Sequence, residues 1–354
     1  MILNYLYHYR RKEEQLKICL EENVNFKDLT NEFERYQFIH QALPEINRDE
    51  IDVSTRLFGK KLNSPLLISS MIGGTSFSSK INKNLAQVAQ SLNISMGIGS
   101  QRIGRENPNL SYLFKVRDVS PDILLFANLG AVQLNYGYGL KECQQAIEMI
   151  EADALFLHLN PLQEALQKGG NVNFKGLVSK IEKLVRELNV PVIIKEVGCG
   201  ISYDVAKKLQ EIGVAGIDIS GSGGTCWALI EQLRVCPKKL RDGEYLFTKW
   251  GIPTAISLRM VQEVINTKNR KNTKLTIIAS GGIKTGIDIA KAIAMGADIV
   301  GIGLPLLHSA TKSPADITII IKQWIEELKT VMFCIGAKNI KELQATPHLV
   351  LCRQ

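Results

Sequence analysis

The 354-residue sequence has no CxxC pair among its seven cysteines, no GxxxxGK[ST] loop, and no apolar run near the roughly 20 residues a membrane span needs. Without the phosphate-binding loop, nucleoside triphosphate hydrolysis is disfavoured. The odd number of cysteines, scattered at 19, 143, 199, 226, 236, 334 and 352, reads as reduced thiols. The segment Met1 to Lys12 is polar and tyrosine-rich, unlike a charged-then-greasy signal. A cytoplasmic protein with no membrane partner is expected. Lys plus Arg exceed Asp plus Glu by 43 to 35, so the net charge of +8 calls for an anionic partner. The densest basic patches, Arg10-Arg11-Lys12, Lys238-Lys239 and Lys268 to Lys274, are short and carry no interleaved aromatics. That pattern argues against nucleic acid and leaves an acidic surface or a small anionic substrate.

What is present is a repeat of short apolar runs: Leu66 to Ser70, Ser95 to Ile98, Ile123 to Ala127, Ala154 to Leu159, Pro191 to Val197, Ala215 to Ser220, Leu275 to Ser280 and Asp298 to Ile302. Segments of helical periodicity lie between them, among them Ile81 to Leu92, Leu140 to Ile150, Phe174 to Leu188 and Gly286 to Met295. Strands alternating with helices imply a parallel sheet, and continuous apolar character implies burial on both faces. The fold class is α/β. Eight such units predict a (β/α)8 TIM barrel, with an open doubly wound sheet as the alternative. The expected domains are an N-terminal helical extension over 1–60 capping the barrel, the barrel over 61–330, and a C-terminal helical tail over 331–354. The extension includes an amphipathic stretch, Glu13 to Glu22. A double-length gap between strands 6 and 7 predicts a lid-like insertion over about 226–272, holding Trp227 and Trp250.

Barrel chemistry sits at the C-terminal ends of the strands. The first three runs lead into Met71-Ile72-Gly73-Gly74, Gly99-Ser100-Gln101-Arg102 and Asn128-Leu129-Gly130. The fourth gives His158-Leu159-Asn160-Pro161-Leu162-Gln163-Glu164, where a histidine, amides and a carboxylate converge; the fifth gives Lys195-Glu196-Val197-Gly198. A lysine inside an apolar strand must reach a polar centre, and a ligand contact is expected. The last three runs open into Ser220-Gly221-Ser222-Gly223-Gly224-Thr225, Ser280-Gly281-Gly282-Ile283-Lys284 and Gly301-Ile302-Gly303-Leu304. Glycine turns at helix starts present backbone N–H groups to a phosphate, so a phosphate site is expected there. Duller readings stand beside these: His158 as a core imidazole, Glu164 as an ion-pair partner, Trp227 as core, and the basic run at Arg11 as a solvated terminus.

As a set, these strand ends resemble the type 2 isopentenyl-diphosphate delta-isomerases, flavin-dependent barrel enzymes that interconvert isopentenyl and dimethylallyl diphosphate. The similarity runs from Arg11 to about Leu307 and is most specific over His158 to Glu164, with support from Asp218 to Thr225 and Trp250-Gly251-Ile252-Pro253-Thr254. The resemblance implies FMN beside Met71, Ile72, Gly73, Ser100, Asn128 and Lys195. It implies FMN phosphate and ribityl contacts at Ser220, Thr225, Gly282, Ile283, Lys284, Gly303 and Leu304. It further implies substrate contacts at Arg11, Lys12, Ser100, Arg102, Asn160 and Gln163, with Mg2+ on Glu164. Four positions depart from the family pattern: Ile72 replaces a threonine, Gln15 a common histidine, Lys249 a common aspartate, and Lys284 an arginine.

Shifting the double bond requires a proton donated to an unactivated alkene, which an ordinary carboxylic acid in water does poorly. No convincing pair of catalytic carboxylates or cysteines stands at the strand ends. Reduced FMN, with NADPH as the expected reductant, fills that role. Gln163, Lys195 and His158 are the expected catalytic side chains, with the diphosphate as anchor. The expected partners are thus a small diphosphate substrate and, in assembly, further copies of the chain as a homo-oligomer. The competing readings are an FMN-barrel oxidoreductase, using His158 or a cysteine such as Cys226 as base or nucleophile, and a flavin-binding protein without turnover.

Overall fold

The computed structural model describes residues 2–235, 246–266 and 275–352, with side chains from residue 7 onward. Cys236, the Lys238-Lys239 pair, the Lys268 to Lys274 patch and part of the expected 226–272 insertion lie outside the described residues. Eight parallel strands close into a barrel in chain order: β1 (Leu66–Ile68), β2 (Ser95–Gly97), β3 (Leu125–Gly130), β4 (Ala154–Leu159), β5 (Val192–Glu196), β6 (Gly216–Asp218), β7 (Thr276–Ser280) and β8 (Ile299–Ile302). Closure of β8 on β1, with Gly301 opposite Leu67, excludes the open sheet. Seven strands lie within their expected runs; β3 continues three residues past its run, through polar Asn128, because both its faces are covered.

Alternation along the strands sorts the interior. Leu67, Phe126, Phe156, Ile193, Ile278 and Ile299 form an apolar plug inside the barrel. The Phe126 and Phe156 rings stack at 4.5 Å, and burying each contributes roughly 1.5–3 kcal/mol. An antiparallel hairpin, Thr55–Leu57 with Lys60–Leu62, adds Leu57 and Leu62 to this plug. The outward rows pack against the surrounding helices in a second, larger core. Two residues further along each inward row the plug gives way to a polar layer: Asn128 after Phe126, His158 after Phe156, Lys195 after Ile193, Ser280 after Ile278.

Three segments differ from expectation. The N-terminal helix α1 runs over Ile2–Glu21, not only Glu13 to Glu22, because contacts with the helices Arg102–Glu106 and Trp227–Val235 support a stretch too polar to announce itself. The span about 226–272 is not one insertion: Thr254–Asn266 packs on the helix Tyr203–Glu211 and on β7 as part of the barrel's outer ring. The tail over 331–354 is not wholly helical. The helix Pro314–Cys334 crosses the expected boundary at 330, a short helix covers Ile340–Gln344, and Leu349–Leu351 pairs antiparallel with Tyr36–Phe38.

Candidate active site

The parallel register sets four inward residues abreast: Gly130 opposite His158, His158 opposite Lys195, and Lys195 opposite Asp218. Lys195 Nζ donates to Asp218 Oδ2 at 2.6 Å, and Ser280 Oγ donates to Asp218 Oδ1 at 2.5 Å. The polar centre that a strand lysine needs is supplied by a carboxylate on the next strand. The Lys195 side chain still lines the cavity above the plug. His158 Nδ1 lies 2.7 Å from Asn128 Oδ1, so that nitrogen carries the proton and Nε2 is left as an acceptor. Burial, with Lys12 and Lys195 nearby, pushes the His158 pKa down to about 3, so the ring is a neutral hydrogen-bonding group.

After β4 the chain turns into the short helix Pro161–Leu166, with Pro161 at its first position, where a missing N–H costs nothing. Asn160 Nδ2 donates to Gln163 Oε1 at 2.9 Å and to Glu164 Oε1 at 3.2 Å, while the buried Asn160 Oδ1 has no protein partner. Glu164 also accepts from Gln167 Nε2 and from the Asn171 backbone. Gln163 reaches Glu231, a fully buried carboxylate on Trp227–Val235 that also accepts from Gln15 at 2.6 Å and Arg234 at 2.9 Å. Glu231 was missed by sequence reading; its only signal is an acidic residue inside an apolar helical segment.

Helix α1 closes the other side. Residues 8, 11, 12, 15 and 19 share one face at helical spacing, and all five line the cavity. Of the basic run, Arg11 and Lys12 are thus turned into the cavity, while Arg10 is exposed. Arg11 is 9% exposed, with Nε and one terminal nitrogen buried and unpartnered. Lys12 donates to the Ser100 carbonyl at 2.9 Å, and burial beside Arg11 and Arg102 pulls its pKa down to about 7. Arg102 is held through Nε by Glu106 at 2.7 Å.

The glycine turns after β6 and β7 touch backbone to backbone: a Cβ on Gly224 would sit 2.4 Å from the Gly282 nitrogen. Ser220, at φ 35°, is a non-glycine residue held in the left-handed region where β6 ends in this cradle. The N-terminal extension crosses the turns, with Asn31 Nδ2 donating to the Gly282 carbonyl at 2.6 Å and Phe26 N to the Gly224 carbonyl at 2.9 Å. No sequence signal pointed to Asn31.

Of the expected site residues, Met71, Ile72, Ser100, Asn128, Ser220, Thr225, Gly282, Ile283, Lys284, Gly303 and Leu304 line the same cavity as Arg11, Lys12, Arg102, His158, Asn160, Gln163, Glu164 and Lys195. Gly73 does not. A Cβ there would meet the Phe114 ring at 2.7 Å, so this glycine serves packing of the loop after β1. Lys249 is also outside, on the surface 3.6 Å from Asp28. Cys226 sits in an apolar cluster with Phe26, Ala228 and Leu229, and burial raises its pKa. It is no candidate nucleophile.

Curated relatives match this chain over nearly its whole length. An isopentenyl-diphosphate delta-isomerase from Nostoc sp. is 49% identical over 96% of this chain and 95% of its own, and one from Pyrococcus abyssi is 45% identical over 96% and 92%. The chain belongs to the isopentenyl-diphosphate delta-isomerase family. The sequence profile described as FMN-dependent dehydrogenase also matches, over residues 10–104 and 162–350. Among solved structures, a flavocytochrome b2 variant with sulfite bound superposes with a TM-score of 0.69 at 19% identity, covering 96% of this chain and 82% of its own. A mandelate oxidase variant with 2-hydroxy-phenylacetamide gives 0.65 at 15%, covering 99% of both chains. These two likenesses carry the barrel fold alone. For this isomerase-family chain, residues 105–161 fall outside the dehydrogenase profile, and they hold Asn128, His158 and Asn160.

Proposed function

We propose that this chain interconverts isopentenyl and dimethylallyl diphosphate by a 1,3-allylic proton shift, with reduced FMN in the barrel and Mg2+ on the substrate diphosphate. The observation that carries the reading is one cavity lined by glycine turns at one part and by Arg11, Lys12 and Arg102 at another. The glycine cradle after β6, β7 and β8 suits a cofactor phosphate. The buried, unpartnered Arg11 guanidinium beside Lys12 and Arg102 suits a second, more highly charged anion.

The residues present fit both absent groups. Gly224 and Gly282 pack backbone to backbone where no side chain fits, and both line the cavity with the buried Lys195, so backbone N–H groups and an ammonium would be available to FMN. Glu164 beside the unpartnered Asn160 Oδ1 offers the oxygen donors a hard cation prefers. Among the described residues no cluster of three metal-ligating side chains exists, consistent with an ion held largely by diphosphate oxygens. Reduced FMN, when bound, would supply an electron-rich ring and a transferable proton. The chain's own residues do the rest. Arg11, Lys12 and Arg102 anchor the diphosphate, so its binding energy positions a small apolar tail. Gln163, fixed by Asn160 and Glu231, orients the substrate. Neutral His158 holds Asn128 without competing for the proton, and Lys195, its charge shared with Asp218, would offer its remaining N–H donors to the ring.

An oxidoreductase base at His158 is disfavoured by its low pKa and by the position of that residue outside the dehydrogenase profile. NADPH belongs to the proposal as flavin reductant. Cytoplasmic location and homo-oligomeric assembly belong to it as well; six unpaired cysteines among the described residues support a reducing compartment, and no described helix is long and apolar enough to cross a membrane. The test is redox-dependent. Isomerisation should be absent with oxidised FMN, appear after anaerobic reduction by NADPH or dithionite, and continue for many turnovers after one stoichiometric reduction. Equal rates with oxidised flavin, or one reductant consumed per product, would overturn the reading.

A further inference from the structure

His8 is 4% exposed, and neither of its ring nitrogens has a hydrogen-bond partner in the protein. Nε2 lies 3.9 Å from Glu106 Oε2, beyond hydrogen-bond reach. The residue precedes Arg11 by three positions and Lys12 by four, so all three stand on the cavity-facing side of α1, across from Arg102. A buried imidazole with both nitrogens unsatisfied is unfavourable unless something entering the cavity satisfies it. We propose that His8 is a further ligand of the substrate diphosphate, donating one ring N–H to an oxyanion whose charge Arg11, Lys12 and Arg102 neutralise.

The inference rests on the reading that a diphosphate occupies this end of the cavity, and it adds a neutral donor to a ring of cations. Burial and the charges of Arg102, Arg11 and Lys12 hold the free imidazole neutral, with its pKa down to about 3. A fourth fixed positive charge would repel the other three; a neutral N–H adds direction without that repulsion. The alternative role is packing alone, since the His8 and Tyr7 rings meet edge-on at 5.7 Å, and Tyr7 is anchored by its hydroxyl donating to the Lys168 carbonyl.

The test uses FMN-loaded, reduced protein as wild type, His8→Phe and His8→Gln. Steady-state kinetics with isopentenyl diphosphate and calorimetric titration with inorganic diphosphate and Mg2+ are measured on each. His8→Phe should raise KM and weaken inorganic diphosphate binding by about tenfold, with kcat within about twofold. His8→Gln, which keeps an N–H donor, should recover most of that loss, and FMN affinity should be unchanged in both. Unaltered diphosphate affinity in His8→Phe overturns the assignment, as does an equal loss in both variants, which marks packing. If the wild type binds inorganic diphosphate but fails to isomerise, the functional reading falls while the titrations still decide His8.

Discussion

The two halves of the cavity wall are built on opposite electrostatic plans. On the barrel side the buried ionic group is already answered: Lys195 meets Asp218, and Asp218 meets Ser280, all within 2.6 Å. On the side of α1 two buried groups, Arg11 and His8, are left unpartnered, and the half-buried Lys12 is held by a carbonyl. A pre-paired charge is part of the fold and survives without ligand. An unpaired one costs stability until an anion arrives, and so converts that cost into ligand discrimination. On the proposed reading the barrel half is scaffold and cofactor seat, while the helical half supplies the counter-charge for the substrate.

The sharpest way to break this contrast is a matched pair of substitutions. Lys195→Met strands the fully buried Asp218 and should cost about 3–5 kcal/mol in denaturant unfolding. Arg11→Met strands no such ion-paired partner; it should cost less than about 1 kcal/mol while raising the KM for isopentenyl diphosphate. Equal stability losses would erase the distinction.

Next in size, Glu164→Gln should reduce Mg2+-dependent turnover on the order of 100-fold while leaving FMN binding intact, since it removes the proposed anionic ligand at constant size. Full activity across a Mg2+ titration would return Glu164 to the role its Gln167 and Asn171 bonds suggest, a structural acceptor.

A smaller, graded effect follows from Lys12. Its pKa is lowered to about 7, by burial first and then by Arg11 and Arg102, with Glu106 opposing. The free site is thus fully cationic below about pH 7 and loses this charge as pH rises through it. In linkage terms the unfolded chain binds more protons at Lys12 between about 7 and 10.5, so this group's penalty on stability relaxes as pH rises across that window. Inorganic diphosphate affinity should therefore decline above about pH 7, with proton uptake on binding visible as buffer-dependent heats in calorimetry. A flat affinity from pH 6 to 9 would remove Lys12 from the anion site.

The smallest expected effect tests whether the extension also steadies the cofactor seat. Asn31→Ala removes the 2.6 Å bond to the Gly282 carbonyl and should weaken FMN by roughly 3–10-fold in a fluorescence titration. Unchanged FMN affinity would leave α1 and its extension serving the substrate alone.

How much was legible in sequence follows the same division. Strand-end residues are readable because a period of two and a closed parallel register leave little freedom: once Phe126, Phe156 and Ile193 face inward, so must Asn128, His158 and Lys195. The partner of Lys195 was not readable, because Asp218 is 23 residues away and meets it only through strand register. Helix α1 was half readable. Leu16 and Cys19 mark its buried end, whereas His8 and Arg11 look like surface residues until Trp227–Val235 and Arg102–Glu106 cover them.

By itself the sequence determined the alternation of strand and helix, the glycine turns at the last three strand ends and the chemical kinds of group available at the first five, since these depend on residue type and near spacing. Only the tertiary structure decided which charges are paired and which are left open. It pressed Glu231 against Gln15 and Gln163 across 216 and 68 residues of chain, moved Gly73 from the wall to the packing beneath it, and laid Asn31 over Gly282. Those outcomes depend on the dielectric and the neighbours that burial creates around a side chain, and neither exists until the barrel has closed and α1 has docked across its mouth.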